Sequence, residues 1–147
     1  MKKFILLMVS LVLACGVMSA RTEKYAIPFS GWGRLEIRSK TNGISAIDPK
    51  VSELDIHRWR KAGGELDLDL DGKLVTVRLP RKEITYNLLT ESYVHKANDG
   101  WSYVEYLALE NDHTFCRVWV CTHEGGDKQF LVLYPTFVQG YKLAPAE

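Results

Sequence analysis

Residues 64–80 read GELDLDLDGKLVTVRLP. Leu66, Leu68 and Leu70 alternate with Glu65, Asp67 and Asp69, and Val75, Val77 and Leu79 continue the apolar set beyond Asp71-Gly72. Period-two alternation is the mark of a strand with one face buried, and Asp-Gly between two such runs is a strong hairpin signal. A two-residue turn sets Leu70 opposite Lys73, Leu68 opposite Val75 and Leu66 opposite Val77, so both apolar rows land on one face. The same register sets Glu65 opposite Arg78 on the polar face as a surface ion pair worth about 0.2–1 kcal/mol.

The hairpin imitates a calcium loop. Asp67-x-Asp69-x-Asp71-Gly72 has acids at the first, third and fifth positions and the bending glycine, as in an EF-hand. The twelfth position must be a bidentate glutamate and is Arg78, and the flanks alternate as strands. The acids therefore read as a solvated face, and no metal site is assigned.

Working outward, Lys82–Leu89, Trp101–Leu109, His113–Thr122 and Lys128–Tyr134 read as further strands. Turn signals separate them at Asn98-Asp99-Gly100, Asn111-Asp112 and Glu124-Gly125-Gly126-Asp127. Upstream, Lys24–Phe29, Trp32–Ser39 and Gly43–Ile47 read as shorter strands. The expected fold is all-β, an antiparallel meander forming a β-sandwich or a flattened barrel. One segment leaves a helix open over about 49–62. There Asp48-Pro49, the early acids Glu53 and Asp55, the late bases Arg58, Arg60 and Lys61, and the following glycines have the order of helix signals. Against that, Leu54 and Ile56 alternate with Asp55 and His57, and Ile56 lies off the face that Val51, Leu54 and Ala62 would share.

The chain begins with Lys2-Lys3, an apolar run from Phe4 to Ala14 and small residues up to Ala20, the order of a secretory signal. The run is shorter than the roughly 20 residues a membrane-spanning helix needs. Cleavage after Ser19 or Ala20 competes with a lipobox reading of Val12-Leu13-Ala14-Cys15, in which Cys15 becomes lipidated. Residues 1–20 are thus read as a signal peptide and 21–147 as a single β-rich domain. The expected location is exported: periplasmic, cell-surface or secreted, in a bacterial envelope, with membrane contact only through a lipid anchor at Cys15. Without residues 1–20 the charge is −1, and no basic block gives an electrostatic footprint for nucleic acid.

CRVWVC, residues 116–121, raises the question of a disulfide. Five residues of strand rise about 16 Å, whereas bridged cysteines have Cα atoms within about 7 Å, and Cys116 and Cys121 point to opposite faces. Both read as small buried hydrophobes. Tight turns at 111–112 and 124–127 would group Tyr103, Leu107, Leu109, Cys116, Val118, Val120, Leu131 and Leu133 on one side. They would gather the aromatic residues Tyr106, Phe115, Trp119, Phe130 and Tyr134, with Arg117, on the other. That second face is either a buried second layer or a ligand platform, with Tyr106, Phe115, Arg117, Trp119, Phe130 and Tyr134 as candidate binding residues.

No catalytic set assembles. His113 and His123 lie at opposite ends of one strand, roughly 33 Å apart. The chain has no His-Glu-x-x-His, Gly-x-Ser-x-Gly, phosphate loop or CxxC. Asp55 and His57 are the best acid–base pair, and Glu105 is a carboxylate among apolar neighbours on the expected core face. The leading expectation is an exported non-catalytic binding or envelope-associated module for a glycan, peptide or protein, without cofactor. Two alternatives are a carrier of a small apolar ligand in the manner of the lipocalins, by analogy of fold, and, behind it, a small hydrolase.

Overall fold

The structure, a computed structural model, describes residues 22–34, 56–96 and 99–146. It is all-β: β1 (Thr22–Arg34), β2 (His57–Asp69), β3 (Leu74–Leu79), β4 (Lys82–Lys96), β5 (Trp101–Glu110), β6 (Thr114–His123), β7 (Lys128–Leu133) and β8 (Phe137–Pro145). Each strand pairs antiparallel with the next, and β8 pairs with β1, so the meander closes into a barrel. At the seam Ser30 faces Tyr141 and Gly31 faces Gly140.

The 64–80 hairpin forms in the expected register, with Leu66 against Val77, Leu68 against Val75 and Glu65 against Arg78. Its turn is tied by the Gly72 N–H donating to Asp69 Oδ1 at 2.8 Å. Lys73 leaves it in the left-handed region at φ 52°, and Leu70 stays exposed in the turn instead of joining the buried row. Arg78 pairs with Asp67 at 2.6 Å and Glu83 at 3.3 Å; these two acids, and not Glu65 opposite, take the guanidinium. Gly64 is fixed by space, since a Cβ there would lie 2.5 Å from the Arg78 carbonyl oxygen.

Alternate residues point into the barrel, and aromatic rings pack inside it. Tyr86 from β4, Phe130 from β7 and Tyr141 from β8 meet there, with the Phe130 ring 5.5 Å from Tyr86 and 6.3 Å from Tyr141. An eight-stranded barrel is just wide enough for its side chains to fill it. Outside β5–β8 lies a second apolar layer of Tyr103, Trp119, Cys121, Leu131, Leu133 and Val138, all buried, with Ile56 and Trp101 packed against it.

Four expectations change. The helix over about 49–62 is not formed where it can be seen: His57–Ala62 belongs to β2, with Lys61 against Phe29 and Arg60 against Ser30, and 49–55 lie outside the described residues. The two strands read at Lys24–Phe29 and from Trp32 are one continuous β1, in which Gly31 and Gly33 are strand residues; 35–39 and 43–47 lie outside the described residues. β8 was not expected, because Phe137–Pro145 carries Gln139 on the inward row and Gly140 and Lys142 on the outward one, which blurs the alternation.

The fourth change is register. The β5–β6 ladder ends at Glu110–Thr114 and the β6–β7 ladder at Thr122–Lys128, one residue longer in the loop than expected at each turn. Asn111 and Asp112 both adopt positive φ, 47° and 62°, and His113 is the extra loop residue. A one-residue slip turns every side chain to the other face. Tyr106, Val118 and Val132 are therefore inward neighbours, and Glu105, Trp119 and Leu131 outward neighbours.

Candidate binding surface

That register divides the six candidate residues. Tyr106, Phe130 and Tyr134 belong to the cluster inside the barrel, while Phe115, Arg117 and Trp119 lie on the outer row of β6. Phe115 is the most open of them, 63% exposed. Trp119 is fully buried in the outer apolar layer and stacks on Tyr103 with ring centres 4.0 Å apart. Glu105 also faces outward, correcting its expected place on the core face. Its Oε2 accepts from Arg117 Nε at 2.9 Å and from Trp119 Nε1 at 2.6 Å, with Arg117 Nη2 at 2.5 Å. Arg117 lies over the Trp119 ring at 5.9 Å, on the opposite side of the sheet from Tyr106 and Tyr134. This cluster orders the outer layer, and with Tyr106, Phe130 and Tyr134 on the inner side the six do not make one platform.

An aromatic and basic surface does form where β2, β1 and β8 run side by side. Its outer row carries Phe29 and Gly31 of β1, Gly140 and Lys142 of β8, and Trp59 and Lys61 of β2, while Ser30, Trp32, Arg34 and Arg60 belong to the row whose register partners Tyr141 and Gln139 lie on the lumen side. Phe29 sits between Lys61 on β2 and Lys142 on β8 in register. Trp59 lies across Gly31 and Gly140: a Cβ on Gly31 would be 2.9 Å from Trp59 Cε3, and one on Gly140 3.0 Å from its Cη2. The paired glycines are thus the floor that lets the indole lie close against the sheet. Lys142 Nζ is 4.8 Å from the Trp59 ring centre and 5.8 Å from that of Phe29. On the opposite row, Arg58 lies 5.5 Å from the Trp32 ring. Phe29 and Trp32 are 37% and 43% exposed. Such cation–aromatic pairs contribute about 0.5–1 kcal/mol each at exposed sites, and they hold long cationic side chains over flat rings.

Arg58 adds a second mark. Its φ of 60° is left-handed, and the β1–β2 register shifts between Ser30 and Trp32 beside it. A non-glycine residue there costs roughly 1–2 kcal/mol, and such strain gathers at functional positions. The sequence reading leaves the HRWRK run of residues 57–61 open between a helix end and a strand, and it missed this surface. The signals that could have found it were the absence of acids from 56–63 and the aromatic–glycine pattern FSGWG at 29–33.

Among the described residues no group of three or more His, Cys, Asp or Glu side chains is placed to hold a metal ion. His57 is in β2, while Asp55 lies outside the described residues. His123 accepts from the Gly125 N–H on Nδ1 at 3.0 Å, so Nε2 carries the proton toward the Asp99 carbonyl at 3.2 Å, and the ring packs edge-on against Trp101. That places it in the fabric of two loops. Cys116 faces the lumen and Cys121 the outer layer; both are free and buried, as their opposite directions require. Residues 1–20, with Cys15, lie outside the described residues.

Burial raises five ionisable groups of the two buried layers. It brings the Cys116 thiol up to about 11 and the Tyr141 phenol up to about 12, and it pushes Cys121, Tyr134 and Tyr86 up as well. The Tyr86 hydroxyl is buried without a well-formed hydrogen bond, although Tyr134 and Tyr141 are close enough to act on its ionisation. The native state keeps these protons when the unfolded chain begins to lose them, from ordinary values of 9.0 for the thiols and 10.0 for the phenols. The stability they contribute is complete below about pH 9 and falls as the pH rises through 9 to 12. The urea midpoint is therefore expected to be lower at pH 10.5 than at pH 7.5. An unchanged midpoint would contradict the burial of these groups.

No protein-family model matches the chain, and no curated protein or solved structure matches it.

Proposed function

We propose that the chain is an exported, non-catalytic binding module that contacts a glycan, peptide or protein through the outer surface shared by β2, β1 and β8. The observation that carries this reading is the Lys142 ammonium beside both Phe29 and Trp59, above the glycine pair Gly31 and Gly140. Aromatic faces with fixed cations offer stacking and charge to one ligand, and three adjacent strands hold them rigidly. Export is supported by the basic, apolar and small-residue order of residues 1–20. Intact mass of the native protein is expected to give a chain starting near Arg21 or at a lipidated Cys15, and a native chain starting at Met1 would end that part of the reading.

The test of the surface is a panel of immobilised neutral and acidic oligosaccharides, peptides and envelope proteins, probed with wild type and with Trp59→Ala. Binding by wild type is expected to drop at least tenfold in Trp59→Ala, whose circular dichroism stays that of a folded barrel. A ligand held equally by wild type, Trp59→Ala and Lys142→Ala would place recognition elsewhere.

A second reading, carriage of a small apolar ligand, is favoured by the closed eight-stranded barrel itself. Against it, Tyr86, Phe130 and Tyr141 pack together inside the barrel. The carrier reading requires saturable, one-to-one uptake of an apolar fluorescent probe by the wild-type chain.

A further inference from the structure

We propose that one mouth of the barrel, the end where β1 stops and β2 starts, binds a small hydroxylated aromatic carboxylate of a single ring. This site is separate from the outer surface above and lies on the other face of the same strands. Ser30 faces both Tyr141 and Arg60, and Trp32 faces Gln139, so Trp32, Arg34 and Arg60 stand on the lumen-side row. In an antiparallel meander the ends of odd-numbered strands and the starts of even-numbered ones share one end of the barrel. Phe137 at the start of β8 therefore joins that row at the same mouth. So do Lys82, facing Leu79 across the β3–β4 turn, and Glu110, facing Tyr86.

Water enters at this end. Ala62, Leu79, Glu110, Tyr134 and Gln139 face the lumen and are only partly buried, while Trp32 and Phe137 at the rim are 43% and 40% exposed. Below them Ile84, Cys116, Tyr86 and Tyr141 are buried and close the space. From Tyr141 to Phe137 is four residues, about 13 Å along β8, and strand tilt shortens the depth. That admits one substituted ring, whereas a long chain would run into the packed rings of Tyr86, Phe130 and Tyr141.

Three features of the mouth select the chemistry. The first is charge. Arg34, Arg60 and Lys82 stand on its row, and Arg58 leans over the Trp32 ring at 5.5 Å. Among the described residues no acid pairs with any of these four. The second is flat apolar surface. Tyr134 and Phe137 stack 4.4 Å apart, and Trp32 stands diagonal to Phe137 across the β1–β8 ladder, a spacing that aromatic side chains reach across. A ring placed among them has its carboxylate level with Arg34 and Arg60. The third is the Tyr86 hydroxyl, buried without a well-formed hydrogen bond. Tyr134 and Glu110, which act on its ionisation, both belong to the mouth end, so the hydroxyl is turned that way. Leaving such a group unmade is costly, and a ligand hydroxyl that reaches it would complete it.

The experiment titrates wild type by calorimetry with 3- and 4-hydroxybenzoate, neutral 4-hydroxybenzamide, laurate and inorganic phosphate. The better hydroxybenzoate is then titrated into Arg60→Gln, Trp32→Ala, Tyr86→Phe and Trp59→Ala. Wild type is expected to bind a hydroxybenzoate saturably and one-to-one, and the amide, laurate and phosphate at least tenfold more weakly. Arg60→Gln, Trp32→Ala and Tyr86→Phe are each expected to lose about tenfold or more in affinity. Tyr86→Phe is also expected to keep the urea midpoint of wild type, so that its weaker binding reports a lost contact and not unfolding. Trp59→Ala, on the outer surface, is expected to bind as wild type. A loss in Trp59→Ala with none in the mouth variants would move the ligand to the outer surface and overturn the mouth site. Amide binding equal to the acid would overturn the carboxylate, and laurate binding more tightly would overturn the ring. Phosphate binding as well as hydroxybenzoate would reduce the mouth to a charge trap and overturn the inference. Full affinity in Tyr86→Phe would overturn the hydroxyl contact and the ligand class with it. No hydroxybenzoate binding to wild type would overturn the inference and leave the outer-surface reading standing.

Discussion

Trp119→Ala is expected to lose about 3–5 kcal/mol of stability, the usual cost of deleting a fully buried aromatic side chain. Trp119 has no exposed surface, stacks on Tyr103 at 4.0 Å and donates from Nε1 to Glu105. Truncation would leave a hole in the outer layer between Tyr103 and Leu131, and would remove one of the donors that hold the Glu105 carboxylate. Arg117 would remain, so Glu105 would keep its charge partner. Phe115 gives the contrast on the same row: at 63% exposed, its replacement by alanine is expected to stay within about 0.5 kcal/mol of wild type. Urea unfolding of both variants decides the matter. A Trp119→Ala midpoint near wild type with unchanged slope would show that the outer layer is not a packed core.

Phe130→Ala is expected to cost a similar 3–5 kcal/mol, and to do something Trp119→Ala does not. Phe130 is the ring that Tyr86 and Tyr141 meet across the lumen, so its removal opens a cavity lined by apolar groups, the kind that stays dry and accepts small apolar molecules. Wild type is expected to show no saturable uptake of an apolar dye, and Phe130→Ala to gain it. Phe130→Leu, which keeps most of the volume, is expected to cost much less and to gain little. Tight uptake by wild type, lost on widening the lumen, would instead show that the barrel is already a container.

The hairpin at 64–80 was legible because its two signals are independent and agree. Asp71-Gly72 fixes the turn, and only one face of those strands is apolar. The next hairpins lacked the second signal. Phe115, Val118, Trp119 and Val120 on β6, and Phe130, Leu131, Val132 and Leu133 on β7, are apolar on both rows, because one row faces the lumen and the other the outer layer. With both faces buried, alternation cannot report a slip of one residue, and His113 in the loop was enough to regroup the six candidate residues. The opposite directions of Cys116 and Cys121 survived, since they depend on one strand alone. The basic surface was illegible for another reason: Gly31 and Gly140 are neighbours only because β8 closes on β1, and β8 itself alternated too weakly to be expected.

The shortness of β3 has its own effect on how the barrel meets other chains. Its ladder to β2 covers Glu65–Asp69, so among the described strands the His57–Gly63 half of β2 has only β1 beside it. A half-strand of this sort has spare backbone donors and acceptors and is where a foreign strand would add itself, the first step toward aggregation. The chain blunts it in two ways. Arg58, Arg60 and Lys61 confront any incoming strand with like positive charge, and the left-handed residues Arg58 and Gly63, at φ 60° and 65°, break the flat backbone that a template needs. These three cations thus act as gatekeepers. Their neutralisation would be felt as self-association, even in a preparation with no ligand present.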